Sequence, residues 1–172
     1  TKIVIVDSYA QKGGGCVKFK KWNINAIYRG NPLLDSVDNF KYAGESREEF
    51  CQRCNISPDK PIVALLAGSR RGEIGYLLPR MARIIEKYPQ CQFVLAGAPA
   101  TETGIYKSIL DKFGLKLVLK DEPLSGNNEV KLLKGETYSI LKHAKAAIIS
   151  SGTASLEAAL IGTPQVVCYG GN

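Results

Sequence analysis

The sequence predicts an α/β fold built on a Rossmann-like, doubly wound parallel sheet. Short apolar runs of strand length recur along the chain, each followed by a turn of small residues and then by apolar residues at helical spacing. Strands that alternate with helices form parallel sheets, and right-handed crossovers place every strand-to-helix turn at one edge. We therefore expect the turns after Leu66, Leu95 and Ile149 to converge.

The composition suits one globular domain with a sizeable core, since 45% of the 172 residues are hydrophobic and 23% are charged. The net charge of +7 is compatible with nucleic acid, an anionic membrane or phosphorylated ligands. Basic residues are dispersed, without an interleaved array of aromatic and basic side chains, so we expect no nucleic-acid partner. No apolar run reaches transmembrane length and no signal peptide is recognisable, so we expect no membrane span.

Residues 1–35 are predicted to form an N-terminal segment and connector. The apolar run at 1–6 predicts a buried parallel strand, and a second short apolar run occupies 24–28. The glycine-rich stretch 11–15 lacks the spacings of dinucleotide and Walker loops, so we assign it no ligand. Pro32 is expected to stop any continuing strand or helix, which makes its neighbourhood a connector.

Residues 36–172 are predicted to form a nucleotide-binding domain of alternating strands and helices. Gly162 and Pro164 end the last helix before the final strand. The predicted strands are 62–66, 92–95, 116–119, 130–133, 146–149 and 166–168. The predicted helices lie at 45–55, around 77–85, around 106–113, at 136–143 and after the small-residue turn at 151–153.

The stretch 150–160 (SSGTASLEAAL) combines a strand end, a small-residue turn and a helix start. Ser151 or Thr153 is expected to cap the helix, since a hydroxyl there accepts a bond from a first-turn amide. Gly152 lets a ligand approach the backbone, and the free amides with the helix dipole favour an anion. Glu157 offers a carboxylate that accepts two hydrogen bonds from a vicinal diol such as ribose. Two alternatives stay open: small residues are common at strand–helix junctions, and a glutamate near a helix start complements the dipole.

A second turn of small residues, Gly68, Ser69 and Arg70, is expected at the same sheet edge. Arginine binds phosphate bidentately, and each charge-assisted hydrogen bond contributes roughly 1.5–3 kcal/mol. Glu73 is expected to orient Arg70, to bind a sugar, or only to cap the helix; the pattern does not separate these roles. Gly97 is expected to leave room for a ligand in the third turn. Together these residues predict a site that holds a diphosphate, without a convincing nucleophile or general base.

The cysteines and the histidine predict no metal site. Cys51 and Cys54 form a C-x-x-C, but no second pair follows, the cysteine count of five is odd, and His143 is the only histidine. We expect two ordinary thiols on a helix in a reducing compartment, and a structural role for His143.

These motifs, in their order and spacing, resemble the lipid-A-disaccharide synthase family, whose members are glycosyltransferases with two Rossmann domains (GT-B type). The similarity runs nearly end to end from about residue 27. Two positions depart from the family pattern: Ala67 stands where many members have proline, and Gly170 stands where we expect arginine. The similarity is carried by residues 28–35 (YRGNPLLD), 64–70 (ALLAGSR) with Glu73 and Ile74, 92–99 (QFVLAGAP), 135–138 (GETY), 151–157 (SGTASLE) and 164–169 (PQVVCY).

The resemblance implies a reaction that transfers 2,3-diacylglucosamine from UDP-2,3-diacylglucosamine to 2,3-diacylglucosamine 1-phosphate. The products are the β-1,6-linked lipid A disaccharide 1-phosphate and UDP, and neither a cofactor nor a metal is implied. By matching position, Arg70 contacts the donor diphosphate and stabilises the charge on the leaving UDP, the 151–153 turn cradles the same group, and Glu157 holds the ribose. Family members act in the cytoplasm, at the inner-membrane surface of Gram-negative bacteria, which implies peripheral membrane association and leaves the oligomeric state open.

The same resemblance implies that this chain is mainly the C-terminal, donor-binding half of a longer protein, truncated at its C-terminus. The family's N-terminal domain carries the general base and much of the acceptor surface, and residues beyond Asn172 complete the donor site. We therefore expect the 172-residue chain to bind UDP weakly and to lack transferase activity by itself. The alternatives are another GT-B enzyme that uses a UDP sugar, such as the N-acetylglucosaminyltransferase acting on lipid I or a UDP-N-acetylglucosamine epimerase, and a non-catalytic nucleotide-binding module.

Overall fold

The computed structural model describes the backbone of residues 3–5 and 26–28 and all of residues 31–169. The chain divides into two compact units, Thr1–Lys41 and Tyr42–Asn172. The glycine-rich stretch 11–15 lies outside the described residues, as does Gly170, where the family pattern leads us to expect arginine.

The first unit contains two short parallel strands, β1 (Ile3–Ile5) and β2 (Ala26–Tyr28). The first confirms the parallel strand predicted at 1–6, and the second lies within the apolar run at 24–28. The unit also contains helix α1 (Pro32–Asp38), so the prediction of a connector around Pro32 is wrong. Asn31 caps this helix, and its side chain accepts a 3.0 Å hydrogen bond from the backbone amide of Leu33. Proline suits the first helical position, where its missing N–H would have no helical partner, so here it begins a helix rather than ending one.

The second unit is built on a six-stranded, all-parallel sheet with the strand order β5-β6-β4-β3-β7-β8. This confirms the predicted Rossmann-like, doubly wound architecture. The order reverses beside β3, because the chain first adds strands on one side of it and then returns to place β7 on the other. The strands are β3 (Ile62–Leu66), β4 (Gln92–Gly97), β5 (Lys116–Val118), β6 (Glu129–Lys134), β7 (Ala146–Ser150) and β8 (Gln165–Cys168).

Helices cover both faces of this sheet. On one face, Phe50, Ile140 and Ala158 pack against the sheet in one apolar cluster. On the other, Leu78 and Tyr106 belong to a second buried cluster. The helices are α2 (Arg47–Cys54), α3 (Arg71–Ile85), α4 (Thr103–Leu110) with a 3-10 turn at Asp111–Phe113, α5 (Thr137–His143) and α6 (Thr153–Ile161).

Helix α2 carries the cysteine pair into the core. Both Cys51 and Cys54 are buried, and burial raises the pKa of the Cys54 thiol to about 11. The ring of His143 stacks on Phe50 at a centroid distance of 4.8 Å, which gives the histidine the expected structural position. Across the described residues, no group of His, Cys, Asp and Glu side chains is arranged to hold a metal ion. Within the same part of the chain, no helix is long and apolar enough to cross a membrane.

Candidate functional site

The carboxyl ends of β3, β4 and β7 surround a cavity of about 440 Å³. The predicted convergence of the three turns is therefore confirmed, and it follows from the adjacency of these strands in the sheet. All nine residues that the sequence singled out line this cavity: Gly68, Ser69, Arg70, Glu73, Gly97, Ser151, Gly152, Thr153 and Glu157.

The turn between β7 and α6 presents a helix amino terminus to the cavity. The cap position is Gly152, whose φ of 137° and ψ of −157° lie in a region that is open essentially to glycine alone. The expectation that Ser151 or Thr153 caps the helix is wrong, because the cap residue has no side chain and no side chain replaces it. No side chain caps α6, and of its first-turn amides that of Ser155 donates to the Gly152 carbonyl at 3.2 Å. Gly152, Thr153 and Ala154 line the cavity, so the positive end of the helix dipole favours an anion there.

The turn between β3 and α3 is organised by Glu73. Its Oε2 accepts backbone hydrogen bonds from Ser69 (3.2 Å) and Arg70 (3.4 Å), and its Oε1 lies 3.3 Å from Nη1 of Arg70. The capping role left open by the sequence is thus present, together with a contact that orients the arginine. A Cβ added to Gly68 would lie 2.4 Å from Glu73 Oε2, so the glycine makes room for this carboxylate. The Arg70 side chain is 84% exposed, which leaves the guanidinium open to an anion.

The third turn, after β4, is held in place by side chains of β6 and α4. A Cβ at Gly97 would lie 2.7 Å from Leu132 Cδ1 and 2.9 Å from Lys134 Cγ. The expectation that Gly97 makes room for a ligand needs correction, since the space it leaves is filled by these two neighbours on β6. The next residue, Ala98, donates its amide to the hydroxyl of the buried Tyr106 at 3.0 Å. The turn is therefore fixed in place, and Gly97 still forms part of the cavity wall.

Glu157 has a hydrogen-bond partner that the sequence did not predict. The hydroxyl of Tyr138, on α5, donates to Glu157 Oε1 at 2.9 Å. Burial, and then the contact with this carboxylate, raise the pKa of Tyr138 to about 12. Tyr138 lies in the GETY motif, but the pairing joins two helices whose contact no local pattern encodes. The carboxylate of Glu157 is therefore held by a neutral donor beside the cavity.

A buried ion network anchors the residue that precedes α5. Arg53 contacts Glu45 through two nitrogens (2.6 and 2.8 Å) and both carboxylate oxygens of Glu136 through a third (2.6 and 2.7 Å). Lys120 adds a 2.6 Å contact to Glu136. Burial alone raises the pKa of Glu136, but the hydrogen bonds from Arg53 and Lys120 outweigh it and hold the pKa below its usual value. This network, also missed from the sequence, fixes the start of the helix that carries Thr137 and Tyr138.

The arrangement can hold a multiply charged anion beside a sugar diol. The anion would meet Arg70 and the amino terminus of α6, and the diol would meet Glu157. Glu73 and Glu157 are the carboxylates in the described cavity wall, and both already accept hydrogen bonds within the fold. The described wall therefore offers groups suited to binding an anion and a diol, and both of its carboxylates are already tied to neighbouring groups of the fold.

Comparison with known proteins places these residues in a family. The lipid-A-disaccharide synthetase family matches residues 17–172. A lipid-A-disaccharide synthase of Sulfurihydrogenibium sp. is 37% identical over 83% of this chain and 36% of its own length. The synthase of Syntrophus aciditrophicus is 38% identical over 88% and 36%, and that of Solibacter usitatus is 30% identical over 88% and 35%. The chain thus spans about a third of the length of these curated relatives.

Among solved structures, similarity is weaker. A chain from a structure concerned with EarP-mediated arginine glycosylation of translation elongation factor EF-P aligns with a TM-score of 0.45 and 15% identity. It covers 83% of this chain and 46% of that one, and a likeness at this level carries no argument about function.

Proposed function

Because the chain belongs to the lipid-A-disaccharide synthetase family, we propose that its sheet edge holds the UDP part of a UDP-2,3-diacylglucosamine donor. The reaction would transfer the 2,3-diacylglucosamine unit to 2,3-diacylglucosamine 1-phosphate and release UDP. In this assignment Arg70 and the turn of Ser151, Gly152 and Thr153 bind the diphosphate. Glu157 accepts hydrogen bonds from the ribose hydroxyls.

One observation carries this proposal: a single cavity brings together an exposed arginine, an uncapped helix amino terminus and a fixed carboxylate. The first two stabilise negative charge, and the third suits a vicinal diol. When the bond to the sugar breaks, charge develops on the departing diphosphate, and preorganised donors lower the energy of that state. Glu73 contributes by orienting Arg70 before the ligand arrives, which reduces the entropy lost on binding.

We extend the proposal to what the chain does by itself. Both carboxylates of its described cavity wall are assigned other roles in this proposal, Glu73 in the turn after β3 and Glu157 toward the ribose, which leaves neither to take a proton from an acceptor hydroxyl. The 172-residue chain should therefore bind UDP and fail to transfer sugar. Turnover by this chain with both lipid substrates would contradict this part of the proposal.

The same family assignment motivates a proposed place in the cell, at the cytoplasmic face of the inner membrane. The net charge of +7 supports attraction to anionic lipid head groups, an interaction that salt screens. The chain should co-sediment with anionic vesicles at low salt and be released as salt rises. Equal binding to zwitterionic vesicles, without salt dependence, would contradict the electrostatic contact.

The experiment that tests the nucleotide site is a calorimetric titration of the chain with UDP. Arg70→Ala should abolish measurable binding or weaken it by at least about tenfold, since a charge-assisted hydrogen bond contributes roughly 1.5–3 kcal/mol. Arg71→Ala is the matched control, because this neighbouring arginine pairs with Glu102 at 3.2 Å and does not line the cavity. A folded wild-type chain that does not bind UDP, or equal losses in both variants, would overturn the assignment.

A turnover assay with two alternative donors addresses the choice of donor. UDP-2,3-diacylglucosamine and UDP-N-acetylglucosamine share the nucleotide and differ in their acyl groups. If the longer relatives and this chain use the same donor, a full-length family member should turn over the diacylated compound and not the other. Preference for UDP-N-acetylglucosamine would favour a different GT-B enzyme.

A further inference from the structure

Tyr138 stands one helix away from the cavity but touches the carboxylate that faces it. Its hydroxyl lies 2.9 Å from Glu157 Oε1, whereas its chain neighbour Thr137, and not Tyr138 itself, belongs to the cavity wall. We propose that Tyr138 is a positioning residue that fixes the Glu157 carboxylate for a ribose diol. This inference rests on the proposed nucleotide site and adds a residue to it.

The geometry explains why a glutamate at this position needs a partner. Glu157 follows the uncapped turn of α6 by one helical turn, and its side chain has three rotatable bonds that are free in solution. A diol that binds both carboxylate oxygens requires one rotamer, and ordering it costs free energy at the moment of binding. The Tyr138 hydroxyl selects a rotamer beforehand by occupying one acceptor site of Oε1. The remaining acceptor sites on both oxygens stay available to the diol.

The partner is suited to this task because it is neutral and rigidly placed. With its pKa raised to about 12, Tyr138 keeps its proton throughout the physiological range, so it always donates to Glu157 and never repels it. Tyr138 is partly buried on α5, a helix whose preceding residue Glu136 is fixed by Arg53 and Lys120. The Tyr138 hydroxyl is therefore held in place by its helix, and its hydrogen bond restricts the rotamers of the Glu157 side chain.

The test compares three ligands: UDP, its 2′,3′-dideoxy analogue and inorganic pyrophosphate. If Tyr138 acts through Glu157, Tyr138→Phe should weaken UDP by roughly 3- to 10-fold, the range for one lost hydrogen bond. Binding of pyrophosphate and of the dideoxy analogue should stay within about twofold of wild type, because neither offers a diol. Tyr88→Phe, which removes a hydroxyl from an exposed ring outside the cavity wall, is the matched control and should leave all three affinities unchanged.

A double-variant cycle separates positioning from general packing. Glu157→Ala should weaken UDP, and adding Tyr138→Phe to it should cause no further loss, because the hydroxyl then has no carboxylate to hold. Additive losses, or an equal loss for pyrophosphate, would mean that Tyr138 serves the fold in general and would overturn the inference.

Failure of the inference and failure of the proposed function give different results. If Glu157→Ala weakens UDP while Tyr138→Phe does not, the positioning role is wrong and the nucleotide site stands. If Glu157→Ala leaves UDP binding unchanged, both the diol role of Glu157 and the positioning role of Tyr138 are wrong. The Arg70→Ala titration then still tests the diphosphate site independently.

Discussion

Replacing Arg53 by methionine should destabilise the chain far more than any exposed charge substitution. The guanidinium lies between two carboxylates, Glu45 and Glu136, whose side chains are each 9% exposed. Methionine keeps much of the aliphatic volume and removes the charge. Lys120 would remain near Glu136, and Glu45 would keep a buried charge without its guanidinium partner.

The expected loss in free energy of unfolding is about 3–5 kcal/mol, the range for breaking a buried ion pair from one side. Four nitrogen–oxygen contacts of 2.6–2.8 Å are removed, but they share the same groups, so their individual values do not add. A domain of this size is stable by only about 5–15 kcal/mol, so the variant should unfold at a clearly lower urea concentration.

Urea unfolding followed by circular dichroism measures this loss. Arg71→Met is the control, since Arg71 and Glu102 form a pair whose side chains are both 75% exposed, and its removal should cost under about 0.5 kcal/mol. Combining Arg53→Met with Glu45→Gln should recover at least about 1 kcal/mol, because the unpaired buried charge is removed. A loss below about 1 kcal/mol for Arg53→Met, at an unchanged slope of unfolding against urea, would refute the reasoning.

The pH dependence gives a second readout of the same network. The pKa of Glu136 is lower in the folded chain than its usual 4.5, so the folded state favours the ionised form. Its stabilising contribution is present above pH 4.5 and is lost as the pH falls through the lower, folded pKa. The difference in stability between wild type and Arg53→Met should therefore shrink below pH 4.5.

Three further predictions concern single positions. Gly97→Ala should cost about 1–3 kcal/mol in urea unfolding, because the added methyl meets Leu132 and Lys134 on β6 within 3 Å. Gly152→Ala should lower the free energy of unfolding by about 1–3 kcal/mol through backbone strain at φ 137°, although the added Cβ would contact no atom. As its control, Gly75→Ala within helix α3 should be neutral or stabilising in the same assay. The pKa of the Cys54 thiol is raised to about 11, so about one part in a thousand of it is ionised at pH 8. Mass spectrometry should therefore find the partly exposed Cys91 labelled by iodoacetamide well before Cys54. Equal labelling of the two thiols in the folded chain would contradict the burial of Cys54.

Periodicity was sufficient to predict the sheet because its strands and helices are each specified locally. The runs before Leu66, Leu95 and Ile149 are apolar on both faces, as buried parallel strands require, and every one of them lies in the sheet. Topology then placed their turns at one edge without further information. This is why the residues of the cavity could be named in advance.

The helix starts and side-chain contacts that were not predicted depend on backbone conformations and on distant partners, and residue type alone does not determine either. Pro32 is compatible with a connector and with the first position of a helix, and Asn31 decides the outcome by capping. Ser151 and Thr153 are good caps in general, but the helix begins so that Gly152 takes the cap position. The partners of Glu157 and Arg53 come from other helices and loops, so no spacing within the sequence reveals them.

The reversal of strand order beside β3 also sets when the binding site can come into existence. Arg70 follows β3 and Ser151 follows β7, and β4, β5 and β6 separate them along the chain. The turns that carry Arg70 and Ser151 come together only after β7 pairs with β3. This pairing joins residues far apart in the sequence, so closing the loop between them costs much conformational entropy. Pyrophosphate should accordingly slow unfolding of the native chain while leaving its refolding rate nearly unchanged. Ligand binding would then report, in time-resolved refolding, the moment at which the two halves of the sheet join.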